Sequence, residues 1–252
     1  MCESCGCTLP EQSSDSKTVE IMRHILGAND QVAAHNRAHF GEHRVLAVNL
    51  MSSPGAGKTS LLEATIEALK DEYAIAVIEG DLETENDAER IRAHGVPAIQ
   101  ITTGTACHLD ARMVHDALHS LPPDGLDIVF IENVGNLVCP ASFDLGQRRN
   151  VVLLSVTEGD DKPAKYPVMF RAADLVLVTK TDLLPFLDDF DPARAEHAMR
   201  DLASAAPLFG LSARKGPGLE AWLDWLRREA ADACIRTEPH EQTRALHHDH
   251  GA

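Results

Sequence analysis

Seven short, nearly continuous apolar runs punctuate this 252-residue chain and restrict its fold more than any other feature. They are "RVLAVNLM" (44–51), "YAIAVIE" (73–79), "PAIQITT" (97–103), "LDIVFIE" (126–132), "NVVLLSV" (150–156), "DLVLVTK" (174–180) and "PLFGLS" (207–212). A strand with water on one face alternates apolar and polar residues, whereas a strand covered on both faces, as in parallel sheets, stays apolar. Between several runs lie helix-like stretches, among them "KTSLLEATIEALK", "NDAERIRAHG" and "ARMVHDALHSL". Strand and helix in alternation make βαβ units, so the pattern predicts an α/β fold with a doubly wound, mostly parallel sheet. "GLEAWLDWLRREAADA" (218–233) reads as a closing amphipathic helix. Ahead of the first strand, "TVEIMRHILGANDQVAAHNRAHF" (18–40) has helical spacing, with Gly27 as a point of interruption. The expected organisation is a flexible tail over 1–16, a helix over 17–43, one domain over 44–233 and a polar, His-containing tail over 234–252. No internal repeat is visible.

The end of the first apolar run carries chemistry. In "NLMSSPGAGKTSLLE", Gly57-Lys58-Thr59 closes the pattern G-x-x-x-x-G-K-[ST] between a strand and a helix, the context that a phosphate-binding loop requires. Ser53, Gly55, Ala56 and Gly57 are small enough for the backbone to wrap phosphates. Lys58 would neutralise the β/γ charge, Thr59 would offer its hydroxyl to Mg²⁺, and Ser60 continues into the helix, whose N-terminus adds positive potential. The first position is Ser52 rather than Gly. Thr179-Lys180-Thr181-Asp182 resembles the Asn-Lys-x-Asp signature for guanine, with Thr179 in place of Asn. A carboxylate at Asp182 accepts from guanine N1–H and its exocyclic amine, which adenine cannot supply. Ser212-Ala213-Arg214 resembles the Ser-Ala-Lys loop that GTPases set against the base. Asp81 and Glu132 end two other strands, where open α/β sheets bind ligands. Asp81 is assigned to Mg²⁺ or to orienting water, and Glu132 to Mg²⁺ directly or through water. The expectation is a P-loop GTPase using GTP and Mg²⁺.

Composition then removes several classes. With 23 basic against 39 acidic residues, the formal net charge of −16 suits neither nucleic acid nor anionic lipid. No run approaches the ~18 apolar residues of a membrane span. The polar start "MCESCGCTLPEQSSDSK" lacks a secretory apolar region, which points to the cytosol. Thiols stay reduced there, yet Cys2, Cys5 and Cys7 crowd the first seven residues. A disulfide staple, an incidental chain end and a site for a thiol-loving metal are the three readings; the reducing compartment favours the last. Cys107 beside His108 follows one strand and Cys139 follows the next, a mixed S/N set that suits Zn²⁺ or Ni²⁺ better than Mg²⁺. The bland alternative for Cys107 and Cys139 is small buried packing.

Taken together, "SSPGAGKTS", "EGD" (79–81), "GTACHLD", "IENVGNLVCP", "SVTEGDDKPAKYP", "TKTDLL" and "CESCGC" resemble the HypB family, the hydrogenase nickel-incorporation GTPases. The resemblance runs from about Lys17 to the helix near Trp225. It implies a homodimer-forming, slow P-loop GTPase of the metallochaperone type that works with other hydrogenase maturation proteins to place Ni²⁺ in the [NiFe]-hydrogenase large subunit. It also implies that Cys2, Cys5 and Cys7 form an N-terminal nickel motif, and that Cys107, His108 and Cys139 hold Ni²⁺ or Zn²⁺ at a dimer interface. Alternatives are a urease-type nickel GTPase, whose usual metal motif is Cys-Pro-His, and a nickel store with weak nucleotide turnover. A metabolite kinase is disfavoured by Thr179–Asp182. His35, His39 and His43 recur every four residues, a spacing more common on solvated helix faces than in metal sites. His240, His247, His248 and His250 fall in the final tail.

Overall fold

Every one of the seven residues of the first strand, β1 (Leu46–Ser52), is buried, as an apolar run without alternation requires. Six more strands follow: β2 (Ile75–Asp81), β3 (Ala98–Thr102), β4 (Ile128–Glu132), β5 (Arg149–Ser155), β6 (Leu175–Thr179) and β7 (Leu208–Gly210). Each falls on one of the apolar runs. The computed structural model describes residues 13–81, 86–104, 106–122, 124–202, 204–215 and 218–235, with only the backbone for 13–23. Cys2, Cys5, Cys7 and the tail histidines His240, His247, His248 and His250 lie outside the described residues.

The sheet has the order β3-β2-β4-β1-β5-β6-β7, and all six pairings are parallel. Helices cover both faces: α1 (Ser13–Glu42), α2 (Lys58–Leu69), α3 (Asn86–Arg92), α4 (Ala111–Leu118), α5 (Lys162–Lys165), α6 (Pro167–Arg171), α7 (Pro192–Asp201) and α8 (Leu219–Ile235). Successive strand residues serve opposite faces. Leu46, Val48 and Leu50 pack with Leu61, Leu62 and Ile66 of α2 and Trp222 of α8. Ala47 joins Phe40 of α1 and Val114 of α4, and Met51 joins Met169 of α6 and Met199 of α7. Covering both faces removes the solvent side on which polar residues would alternate.

The first helix departs from expectation. α1 is a single 30-residue helix that passes through Gly27 without interruption. It begins at Ser13, so residues 13–16 belong to the helix rather than to the tail, and α8 likewise extends two residues past 233, to Ile235. Tertiary contacts hold α1 in place. The side chain of Asn29 accepts from Ala111 N at 2.9 Å, and buried Asn36 donates to the carbonyls of Ala111 and Leu145 at 2.8 and 3.0 Å. α7 had no counterpart in the sequence pattern, because only Ala195 and Met199 of its ten residues are buried. Among the described residues, no helix is long and apolar enough to cross a membrane.

Candidate functional site

Chain order makes the site. From β1 the chain builds outward to β2, β3 and β4 on one side, then crosses β1 to add β5, β6 and β7 on the other, so the strand order reverses at β1 and opens a crevice at the carboxyl ends. A cavity of about 710 Å³ fills that crevice, lined by residues 54–61, 79–81, 132–135 and parts of the loops after β6 and β7. In the loop after β1, Gly55 and Gly57 have φ of +75° and +101°, with open space where a Cβ would stand. Their backbone conformation, and not crowding, is what calls for glycine. Gly57 caps α2 without any side-chain acceptor, which leaves first-turn N–H groups of α2 available to an anion.

The buried Lys58 ammonium donates to Ser52 Oγ at 3.1 Å and stands 3.9 Å from Glu132 Oε1. Ser52, the departure from the usual glycine, is fully buried and so serves as the resting partner of the lysine. Thr59 Oγ1 donates to Glu132 Oε1 at 3.0 Å. Glu132 is not a surface acid: it is 3% exposed and lies in register with Glu79 on the adjacent β2, itself 2% exposed. Burial, then the negative charge of Glu132, push the Glu79 carboxyl far up, and a hydrogen bond to Glu132 assigns Glu79 the proton. Burial also raises Glu132, opposed by Lys58 and by the hydrogen bonds from Glu79 and Thr59. The Oε2 atoms of both are buried without a hydrogen-bond partner among the described residues. Two buried carboxyls with orphaned oxygens beside a Thr hydroxyl are a donor set suited to a hard divalent cation such as Mg²⁺. Asp81, at the end of β2, lines the same cavity.

At the far end of the cavity, Thr179 Oγ1 donates to Ala56 O at 2.7 Å and Lys180 Nζ donates to Gly55 O at 2.7 Å. The Thr that replaces Asn is thus a strut between this loop and the phosphate loop. Asp182 is held below the usual carboxylate range by the Ser212 hydroxyl and by Lys215, whose Nζ is 3.4 Å away. Ser212 and Ala213 line the cavity beside it. Ser53 does not: its hydroxyl is buried without a hydrogen bond among the described residues.

The thiol site stands at the other end of the loop that leaves β4. Cys107 Sγ is 3.2 Å from Cys139 Sγ and 3.6 Å from His108 Nδ1. Among the described residues this is the one set of three or more His, Cys, Asp or Glu side chains whose donor atoms all lie within 4.8 Å of one another. β2 separates β3 from β4 in the sheet, so the two loops reach across it to meet. The Cys139 thiol is pushed up by its hydrogen bond with Cys107, by burial and by the charge of Cys107. A cation between the sulfurs would reverse this by favouring thiolates. Burial lowers His108, keeping its imidazole in the neutral form that ligates metals, and its ring lies 4.0 Å from that of Phe143.

Sequence reasoning gave no role to the residues joining these two sites. Asn133 Oδ1 accepts from Leu109 N at 3.1 Å, and Asn136 Nδ2 donates to Cys107 O at 3.2 Å. A Cβ on Gly135 would come within 2.8 Å of Pro54 Cα, so this loop lies against the phosphate loop as only glycine allows. Glu79 was likewise given no role, because it closes an apolar run like any strand-end acid. Its one signal is that a second strand, the one carrying Glu132, ends in the same way.

The architecture has counterparts among known proteins. The family model for the CobW/HypB/UreG nucleotide-binding domain matches residues 46–209. The chain is 51% identical to the hydrogenase maturation factor HypB of Escherichia coli (strain K12) over 216 residues, covering 86% of this chain and 74% of that protein. It is 54% identical to HypB of Azotobacter vinelandii over 216 residues, 86% of this chain and 71% of that one. The crystal structure of HypB from Helicobacter pylori in complex with nickel superposes with a TM-score of 0.77 at 42% identity, over 81% of this chain and 96% of that one. By the matched domain and by relatives above half identity, the chain belongs to the HypB family of hydrogenase maturation factors.

Proposed function

We propose that the protein hydrolyses GTP to GDP and phosphate and uses that cycle to pass Ni²⁺ toward the large subunit of a [NiFe]-hydrogenase. One observation carries the reading. The loop after β4 begins at Glu132, hydrogen-bonded to Thr59 of the phosphate loop, and reaches Cys139, whose free thiol is hydrogen-bonded to that of Cys107. Whatever changes at the phosphates is therefore one short loop away from a metal donor, the arrangement that order–disorder switching in nucleotide-binding proteins exploits.

In this scheme the N–H groups of 55–60 cradle the phosphates, and Lys58 leaves Ser52 for the β/γ oxygens. Thr59 and Glu132 would hold Mg²⁺, which supplies charge neutralisation on the phosphates. Asp81 orients the attacking water, and Asp182 with Ser212 and Ala213 reads guanine. Cys107, His108 and Cys139 hold the nickel cargo, with Zn²⁺ as the chemically closest competitor. Three donors leave a tetrahedral or square-planar ion incomplete. The adjacent Val138 is apolar and 60% exposed. Both features favour a homodimer that closes over the ion at a two-fold axis. Cys2, Cys5 and Cys7 form a second nickel site ahead of α1, and the protein acts in the cytosol with other maturation proteins as partners.

The test is purified full-length protein with Mg²⁺ and either GTP or ATP, followed by Ni²⁺ titration with GDP or a non-hydrolysable GTP analogue. The reading expects preferential GTP hydrolysis, a Ni²⁺ affinity that differs between the two nucleotide states, and nickel transfer to apo large subunit only with GTP. No turnover above background, or a nickel affinity blind to nucleotide, overturns it. A peptide of residues 1–10 should separately show thiolate-to-Ni²⁺ charge-transfer absorption.

A further inference from the structure

On the face of the sheet covered by α1 and α4, histidines from two helices meet. His35 and His39 lie four residues apart on α1 with His43 just beyond its end, and His115 lies on α4 with His119 capping its C-terminus. The ring centres of His35 and His115 are 5.1 Å apart, and those of His115 and His119 are 4.7 Å apart. His115 Nε2 and His119 Nε2 approach to 3.2 Å.

The geometry points to a transition-metal site, with His115 Nε2 and His119 Nε2 as the chelating pair and His35 of α1 as the third imidazole, for a divalent cation of the zinc or nickel class. Two nitrogens bound at about 2.05 Å stand roughly 3.4 Å apart on a tetrahedral ion and roughly 2.9 Å apart at a right angle. The observed separation lies between these values without any movement of α4. The His35 ring centre stands 5.1 Å from that of His115, so His35 would have to reorient to bring a nitrogen to an ion held by the pair.

The tautomer of His115 is set by its surroundings. Asn36 is fully buried, and its Nδ2 donates to the carbonyls of Ala111 and Leu145. Its Oδ1 is thereby left to accept, and it lies 3.1 Å from His115 Nδ1. His115 accordingly carries its proton on Nδ1 and turns a lone pair on Nε2 toward His119. An imidazole whose far nitrogen is held by a buried amide is a pre-oriented metal ligand. In the metal-free protein the His119 N–H donates to His115; a bound cation displaces that proton, so affinity falls on acidification. The other charged neighbours on α4 are Arg112 and Asp116, paired with each other at 3.0 Å. His43 faces Asp124 at 3.6 Å.

This site is separate from the thiol triad, but on the same segment: α4 starts at Ala111, three residues after His108. An imidazole site holds borderline cations less tightly than thiolates do, so it suits an exchangeable ion. Binding there would also pin α1 to α4.

The test uses the full-length chain with Cys2, Cys5, Cys7, Cys107 and Cys139 changed to Ser, titrated with Zn²⁺ and Ni²⁺ at pH 7.5. One equivalent is expected to require these histidines, weaken at least tenfold in His119→Gln and in His115→Gln, and be lost at pH 5.5. The same ions should raise the Tm of the Cys-free chain but not of the double variant, the Cys-free chain carrying both His115→Gln and His119→Gln. Nitrogen hyperfine structure from bound Cu²⁺ should show fewer coordinated imidazoles in His35→Gln. His119 is exposed, so His119→Gln should keep its fold, which circular dichroism and unchanged GTPase activity would verify. The proposal fails if the double variant binds with the same stoichiometry and affinity, which would assign the metal to other residues such as the tail histidines. It fails equally if the Cys-free protein neither binds the ions nor gains Tm.

Discussion

The phosphate cavity and the thiol triad occupy the two ends of the loop from Glu132 to Cys139, yet they are built in opposite ways. In the cavity the chemistry is buried: Lys58, Thr59, Glu79 and Glu132 are each at most 9% exposed, with Lys58 donating to Ser52 and Thr59 to Glu132. In the triad, Cys107 is exposed and Cys139 partly so, and both sit on loops rather than on strand ends proper. A buried site can be preorganised and can store unfavourable charge in a low dielectric. An exposed one can exchange its ion with a partner. The difference teaches that hydrolysis and cargo transfer make conflicting demands on burial, met here by separating the two sites and joining them through Asn133, Asn136 and Gly135.

If the two ends are distinct in this sense, removing the phosphate lysine should leave the metal end intact. Lys58→Ala deletes the one cation that, among the described residues, pairs with Glu132 in the cavity. We expect nucleotide turnover to fall to background, at least about 10³-fold, as for loss of a central charge-stabilising group. Ni²⁺ affinity of the nucleotide-free protein should stay within about twofold, since none of the triad touches Lys58. Parallel hydrolysis and metal titrations check both halves; a large drop in nickel affinity would mean that the sites are one structural unit.

The cavity should also discriminate in a way the triad cannot. Asp182→Ala is expected to erase a GTP-over-ATP preference of about 10³-fold, the scale on which unpaired buried hydrogen-bonding groups reject the wrong ligand. Because the Ser212 hydroxyl and Lys215 depress the Asp182 pKa, the carboxylate stays ionised below the usual carboxylate range. The preference should therefore hold as pH falls from 8 toward 5. Competition of GTP against ATP across that range is the measurement, and a preference that survives Asp182→Ala would move guanine reading elsewhere.

From the triad's side, Cys107→Ala removes one of three donors and should weaken metal binding by about 10²-fold, with metal-dependent dimerisation lost alongside. Nucleotide affinity without metal should not change. With metal, coupling must be reciprocal, so any factor by which GTP shifts Ni²⁺ affinity in the wild type must equal the factor by which Ni²⁺ shifts GTP affinity. Sedimentation and paired titrations test this, and a wild type that remains monomeric with every combination of metal and nucleotide would overturn the shared metal site at a two-fold interface.

The two ends also differed in how plainly the sequence announced them. Lys58 and Thr59 were legible because their chemistry demands a contiguous motif, and all seven strands were legible because covering both faces leaves an unbroken apolar signature. The triad could be suspected from strand ends, but the 3.2 Å approach of Cys107 to Cys139 across an intervening strand is a property of loop paths that no local pattern encodes. Glu79 escaped because its significance lies in register: it aligns with Glu132 only once β2 pairs with β4. His115 and His119 acquire meaning only against His35 of another helix. α7 escaped because two buried residues in ten give too weak a stripe to read. The continuous α1 through Gly27 shows tertiary contacts outweighing the roughly 1 kcal/mol that glycine costs inside a helix.

The smallest effect concerns the paired carboxyls and separates empty from loaded cavities. Folding raises the Glu79 pKa, mainly through burial and then through Glu132. The sign follows from proton counting: the native state keeps a proton that the unfolded chain gives up above about pH 4.3. This group's contribution to stability is thus fully present below that pH and is lost as pH rises toward the folded pKa, at up to about 1.4 kcal/mol per pH unit. Other groups titrate too, so the quantity to compare is the slope of unfolding free energy between pH 5.5 and 7.5 in wild type and Glu79→Gln, without nucleotide. The variant should show the flatter slope and the higher stability at pH 7.5, because Gln is neutral at every pH and can still donate to Glu132. A bound Mg²⁺–nucleotide complex brings positive charge to these oxygens and inverts the local pKa logic. Wild type should then release close to one proton on binding, visible as a dependence of calorimetric heat on buffer ionisation enthalpy, and Glu79→Gln should release fewer. Equal slopes and equal proton release would show that Glu79 is already ionised in the empty cavity, and that its burial beside Glu132 is balanced by charges other than its own proton.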